Sequence, residues 1–186
     1  MKPVYTIFAG INGAGKTTLY NVLKAEQSLG ERINIDEMVH EVGDWRDNFL
    51  QIKTSVDALR KMNVFLEQGV SFHQETTLPT KPVLRQIAHA KKAGYTVRLY
   101  FVGIADVELA LSRIQKRVDA GGHGVEEKLV RKRFEKLSEA LRTVIPLCDA
   151  VVCYDNTERF RQLAVIRDKI MLDCDTDLPA WFAEVF

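Results

Sequence analysis

Along the chain, short runs of β-branched and aromatic residues alternate with longer stretches of helical spacing. Val4-Tyr5-Thr6-Ile7-Phe8 predicts a first strand over 2–9, and Thr18-Leu19-Tyr20-Asn21-Val22-Leu23 opens a helix over about 15–27. Glu31-Arg32-Ile33-Asn34-Ile35 reads as a short second strand ending at Asp36. A helix follows over 48–68, with Phe49, Ile52, Val56, Leu59 and Leu66 at helical spacings and Gly69 as its stop. Residues 70–74 form a third strand ending at Glu75. Thr80 caps the next helix, which has Pro82 in its first turn and Gly94 past its end. A fourth strand over 95–102, helices over 107–120 and 126–143, and a fifth strand over 149–154 complete the alternation. Residues 162–166 and 169–173 predict a hairpin around Arg167-Asp168, with Leu163 and Val165 facing one way. Pro179-Ala180-Trp181-Phe182 reads as an apolar lock on the core. This order predicts an α/β fold: a parallel sheet of five strands with helices on both faces, then a short C-terminal hairpin and helix.

Between the first strand and the first helix lies Ile7–Tyr20, IFAGINGAGKTTLY. Gly10, Gly15, Lys16 and Thr17 fit the phosphate-cradling pattern G-x-x-x-x-G-K-[ST]. Glycines let successive backbone N–H groups approach an anion, and the helix that follows points its positive end at the same place. The residues Gly10, Asn12, Gly13, Ala14, Gly15, Lys16, Thr17 and Thr18 are therefore the candidate nucleotide cradle. Lys16 reaches the β- and γ-phosphates, and the Thr17 hydroxyl is a Mg²⁺ ligand. A plain Gly-rich turn is the alternative, and the strand and helix signals on either side argue against it. The motif implies ATP and Mg²⁺; it leaves the phosphate acceptor open.

In α/β sheets ligands gather at the carboxyl ends of the strands. Asp36 and Glu37 end the second strand and Glu75 ends the third. In P-loop kinases the third strand usually lies beside the first, which puts Glu75 near metal and phosphates and Asp36 farther out, near an acceptor hydroxyl whose proton it can take. Helix capping is the alternative for Asp36, and a solvated turn for Glu75-Thr76-Thr77. A second cluster holds Arg113, Arg117, Gly121, Gly122, His123, Arg131 and Arg133. Arg113 and Arg117 share a helical face, whereas Arg131 and Arg133 cannot at a spacing of two. Helices that carry arginines around a Gly-Gly-His-Gly hinge make a kinase lid, here about 113–133, able to close over ATP and stabilise charge in transfer. A solvated basic surface is the alternative reading, and it suits Lys116, Lys128 and Lys132. His123 reads as a loop hydrogen-bonder, since no partner stands at metal-ligand spacing.

The 186 residues suit one domain over 1–186, and 46% hydrophobic residues fill its core. A net charge of +1 gives no global attraction to nucleic acid or membrane. No apolar run spans a bilayer and no signal peptide opens the chain, so a cytoplasmic location is expected. The three cysteines, Cys148, Cys153 and Cys174, match no metal spacing and are expected as reduced thiols, Cys153 in the core.

Taken together, GINGAGKTT, NIDE, FHQETTL, RVDAGGHGVEEKLVRKRF and YDNTE, which run from Gly10 to Glu158, resemble the zeta toxin family of P-loop kinases. The resemblance implies a P-loop kinase domain that phosphorylates a hydroxyl of a sugar nucleotide such as UDP-N-acetylglucosamine. It makes Asp36 the acceptor base, Glu75 the metal- or substrate-side carboxylate, and Arg117 and Arg133 the lid arginines; Arg113, singled out by its spacing from Arg117, is a candidate nucleotide-side residue beside Lys16. It also implies a separate antitoxin protein as partner. A small-metabolite kinase of the shikimate or gluconate type shares the same parts with another acceptor. A nucleotide-dependent switch would need no acceptor base.

Overall fold

The computed structural model describes residues 2–44, 46–78 and 81–186. Strand β1 (Val4–Ala9) is buried along almost its whole length and feeds the Gly-rich loop into helix α1 (Lys16–Glu26). Strand β2 (Glu31–Ile33) stops two residues earlier than its sequence suggests. The Asn34 side chain accepts from the backbone N–H groups of Asp36 (3.1 Å) and Glu37 (3.4 Å). That cap starts helix α2 (Ile35–Val42), which the apolar pattern alone does not announce. Asp36 is thus in the first turn of a helix that Asn34 caps; it neither ends a strand nor serves as the cap.

Helix α3 (Asn48–Gln68) has the predicted bounds, with Asp47 as its cap. Its inward face differs from the expected one. Thr54, Ala58, Met62 and Leu66 are buried, whereas Phe49, Ile52 and Val56 are exposed. Strand β3 (Phe72–Thr76) begins later than expected and carries Glu75 inside its last turn of pleat. Helix α4 (Lys81–Lys92) follows; the expected cap, Thr80, lies outside the described residues. Strand β4 (Thr96–Gly103) and helix α5 (Val107–Asp119) follow the prediction closely. The single helix expected over 126–143 is two, α6 (Glu127–Glu135) and α7 (Leu137–Val144). They part at Lys136, whose backbone (φ −94°, ψ 0°) has left helical values. Strand β5 (Ala150–Asp155) is followed by β6 (Arg161–Arg167) and β7 (Ile170–Cys174), and helix α8 (Ala180–Ala183) closes the described chain.

The strands form one seven-stranded sheet in the order β2-β3-β1-β4-β5-β6-β7. The first five are parallel, and the hairpin extends the same sheet with two antiparallel strands. Positive φ at Asp168 and Lys169 makes the tight turn between them, one residue beyond the expected Arg167-Asp168 centre. Strand β3 lies between β1 and β2, so the carboxyl ends of β1, β3 and β2 stand side by side. Tyr5, Phe8, Phe72, Leu99 and Phe101 fill the centre of the core. On β3, His73 lies against Tyr20 and Phe8, and burial pushes its pKa down to about 4. All three cysteines are free; Cys153 is fully buried, its thiol pushed up to about 12 by burial, and Cys174 is exposed. Among the described residues no helix is long and apolar enough to cross a membrane.

Candidate active site

The carboxyl ends of the central strands open on a cavity of about 1180 Å³. Its floor is the loop after β1. Gly10 takes φ +146°, and a Cβ there would run into the Val102 carbonyl of β4, so this position admits only glycine. Gly15 takes φ +106° at the start of α1, and a Cβ there would meet the amide of Asn156. The loop therefore lies close against β4 and the loop after β5.

Lys16 is half-buried, and its ammonium donates to the Ile11 carbonyl (3.1 Å). Burial, opposed by the nearby Glu75 and Asp36 carboxylates, lowers its pKa to about 8. The Thr17 hydroxyl donates to Glu75 (2.9 Å). Glu75 is largely buried and also accepts from Arg32 (2.8 Å) and Asn34 (3.3 Å). Arg32 in turn pairs with Glu37 (2.5 Å) and lies 3.8 Å above the Tyr20 ring. Arg32 escapes the sequence reading, and Asn34 enters it only as part of NIDE: they sit in a short strand and its cap, where nothing in the spacing points at Glu75. Asp36 lines the cavity with its side chain about half exposed, 3.7 Å from the His123 ring. Burial lowers the His123 pKa.

The arginine cluster divides. Arg113, on α5, reaches the Gly13 carbonyl (3.5 Å) and the Thr157 carbonyl (3.4 Å). Arg117, one turn on, is exposed and lines the cavity just before the Gly121-Gly122 bend. Arg133, on α6, donates to the Asn12 side chain (2.7 Å) and also lines the cavity. Arg131 points elsewhere and pairs with Glu108 (2.5 Å) and Glu127 (2.7 Å). Of the two neighbours, Arg133 is thus the one brought to the P-loop. Asn156, in the loop after β5, donates to the Ala14 carbonyl (2.8 Å) and lines the same cavity. It was legible only as part of YDNTE. Lys16, Thr17, Asp36, Glu75, Arg113, Arg117 and Arg133 therefore border one space, together with Asn12, Gly13, Gly15 and Thr18, while Gly10 and Ala14 support the loop from behind.

The Thr17 hydroxyl and the Glu75 carboxylate are hard oxygen donors of the kind Mg²⁺ uses beside phosphate oxygens. Among the described residues no group of three or more His, Cys, Asp or Glu is placed to hold a metal ion. This donor set suits a metal carried largely by phosphates.

The zeta toxin family model matches residues 50–164, more than half of the chain, from inside α3 to β6. An uncharacterized protein of Haemophilus influenzae is 28% identical over 127 residues, 68% of this chain and 89% of that protein. Among solved structures, the PezAT chromosomal toxin-antitoxin system of Streptococcus pneumoniae superposes with a TM-score of 0.66 at 16% identity, covering 97% of this chain and 76% of that one. AvrRxo1-ORF1:-ORF2 with ATP gives a TM-score of 0.70 at 17% identity, over 91% of this chain and 60% of that one. A putative kinase from Chloroflexus aurantiacus gives 0.57 at 19%, over 74% and 78%. At these identities the structural likeness establishes the fold, and the family match over α3 to β6 establishes the lineage: the chain belongs to the zeta toxin family of P-loop kinases.

Proposed function

We propose that the chain is an ATP-dependent kinase that transfers the γ-phosphoryl group to a hydroxyl of a small molecule. The observation that carries this reading is the single cavity in which the P-loop, Asp36, Glu75 and two cavity-facing lid arginines meet. A nucleotide-dependent switch has no use for a carboxylate such as Asp36 that faces the cavity without bonding to the P-loop. Asp36 takes the proton of the acceptor hydroxyl, a contribution typically worth about 10²–10⁴-fold. Lys16, Arg117 and Arg133 offset the charge that spreads over the transferring group. Thr17 and Glu75 would hold Mg²⁺, which would supply positive charge against the phosphates. Residues 113–133 act as the lid of one domain over 1–186. The family resemblance makes UDP-N-acetylglucosamine the reference acceptor, and the likeness to PezAT supports an antitoxin partner.

Two carboxylate variants test the reading. Asp36→Asn keeps shape and removes the base, so ATP–Mg²⁺ affinity stays near normal by calorimetry while acceptor-dependent ADP release collapses. Glu75→Gln shifts the Mg²⁺ titration, and it also lowers thermal stability because Arg32 keeps only Glu37 as a full charge partner. Loss of ATP–Mg²⁺ binding in Asp36→Asn with loss of turnover alone in Glu75→Gln would reverse the two assignments.

A further inference from the structure

The bend between α5 and α6 is fixed in place by its own backbone. Gly121 takes φ +83°, and the Gly122 N–H donates back to the Arg117 carbonyl (2.8 Å). A Cβ on Gly122 would run into the Arg117 side chain and carbonyl. The bend is thereby folded onto the last turn of α5, and the next residue it presents is His123. The His123 ring lines the cavity with its side chain only 15% exposed, and its Nε2 stands 3.7 Å from the Asp36 carboxylate. That distance is too long for a hydrogen bond to a neutral ring and short enough for an ion pair with a charged one. Asp36 is the open member of the pair, at 56% exposed. One turn further along α2, His40 lines the same cavity.

Resting on the kinase reading above, we infer that His123 is the positioning residue of the acceptor base: with a neutral ring it leaves the Asp36 carboxylate to the acceptor hydroxyl, and with a protonated ring it holds Asp36 in an ion pair and withdraws it from the reaction. The groups around the ring set the balance. Burial is the largest influence and favours the neutral form; Arg117 on α5 and His40 on α2 push the same way, and Asp36 pushes against them. The ring pKa accordingly lies below its ordinary value, so near neutrality His123 is neutral. The charge of Asp36 also reaches Lys16 in the P-loop and Arg133 on α6. One more positive charge, 3.7 Å away, makes this carboxylate a poorer base. Transfer is therefore lost as pH falls through the His123 pKa and the ring gains its proton. In the transfer, Asp36 takes the acceptor hydroxyl proton as that oxygen bonds to the γ-phosphorus. The bond from the γ-phosphorus to the bridging oxygen breaks, and its electron pair leaves on ADP. The proton then passes from the exposed side of Asp36 to solvent.

Two measurements on the full chain test the pair. The ring is titrated by NMR with Mg²⁺ and a non-hydrolysable ATP analogue, and His123→Gln assigns its signal among the four histidines. Asp36→Asn should move the His123 titration to lower pH, because it removes the carboxylate that favours the charged ring. An unmoved titration overturns the inference and leaves the kinase standing. ADP release is followed from pH 5 to 8.5 with Mg²⁺ and saturating ATP, once with UDP-N-acetylglucosamine and once with water as the only acceptor. In the wild-type protein the loss of rate on acidification should follow the His123 titration. His123→Gln keeps a polar side chain that does not titrate, so its loss should come at lower pH. The ratio of its rate at pH 5.5 to that at pH 7.5 should exceed the wild-type ratio at least about threefold, with the KM for ATP unchanged. The same acid loss in both proteins overturns the inference. So does a rate in His123→Gln as low as that of Asp36→Asn at every pH, which would make His123 a base in its own right. Wild-type protein that binds ATP by calorimetry and releases no ADP with either acceptor overturns the kinase reading itself, whereas the NMR titration judges the pair independently.

Discussion

Burial brings the Lys16 ammonium down to a pKa of about 8, so near neutrality it keeps its proton by a narrow margin. A lysine on a phosphate gains negative neighbours, which favour the charged form and move the pKa back up. ATP binding is therefore coupled to proton uptake where the free protein is partly deprotonated, at and above pH 8. The sign follows: a proton gained on binding makes affinity fall as pH rises through about 8. Calorimetry at pH 8.5 in two buffers of different ionisation enthalpy should register uptake of a fraction of a proton per ATP, and Lys16→Met should abolish it. Lys16→Ala should reduce turnover at least about 100-fold, on the order of 3 kcal/mol of barrier. The variant should still fold, because it removes a half-buried charge and one bond to a loop carbonyl. Near-normal turnover in Lys16→Ala would sink the P-loop kinase assignment.

At the scale of elements, α5 and α6 divide their arginines by helix face, and the division gives a paired test. Arg117 on α5 and Arg133 on α6 face the cavity, while Arg131 is held outside by Glu108 and Glu127. Arg117→Ala should cut turnover sharply with melting temperature nearly unchanged; Arg133→Ala should cut it too but also lower the melting temperature, because the buried Asn12 side chain loses its donor; Arg131→Ala should leave turnover intact. Leu99→Ala, fully buried on β4, is the structural control, at about 2–5 kcal/mol of stability. Parallel losses of stability in Arg117→Ala and Leu99→Ala would make Arg117 a structural residue instead. The strands, the P-loop and α5 were legible because each rests on local chemistry: β-branched runs, fixed glycine spacing, arginines one turn apart. What was not legible depended on partners distant in sequence. Helix α2 begins at Asn34 because that side chain caps it, yet the residues around it read equally well as the end of a strand. Phe49, Ile52 and Val56 have a helical period, but α3 meets the core through Thr54, Ala58, Met62 and Leu66, a face chosen by packing. Arg32 reaches Glu75 across a strand pairing that no local pattern encodes.

Across the whole molecule, the C-terminal helix α8 is tied to the P-loop by a chain of polar contacts, and that tie predicts a remote effect. Trp181 on α8 packs its ring on Phe101 and donates from Nε1 to the Asp155 carboxylate (2.9 Å). The same carboxylate oxygen accepts from the Thr157 hydroxyl (2.8 Å), and Asp155 is almost fully buried. Between them stands Asn156, bonded to the Ala14 carbonyl of the P-loop, and the Thr157 carbonyl receives Arg113. The loop after β5 thus positions two cavity residues, while Asp155 holds the loop and Trp181 helps to hold Asp155. Trp181→Phe keeps an aromatic ring in place and removes the N–H. It leaves a buried carboxylate short of one donor, a penalty of about 1–3 kcal/mol. Part of that penalty falls on stability, visible as a lower melting temperature. The rest should fall on the loop and raise the Kd for ATP, because Asn156 and Arg113 lose their fixed support. The cavity-lining residues of α2, α3 and α4, where the proposed acceptor binds, share none of these bonds, so the KM for the acceptor should stay constant. Calorimetry with ATP, thermal melts and acceptor kinetics on the one variant separate these effects. A lower melting temperature with an unchanged Kd for ATP would mean that the loop keeps its geometry without Trp181. A KM change for the acceptor alone would place the coupling on the other side of the sheet, against the hydrogen bonds that lead from α8 to the P-loop.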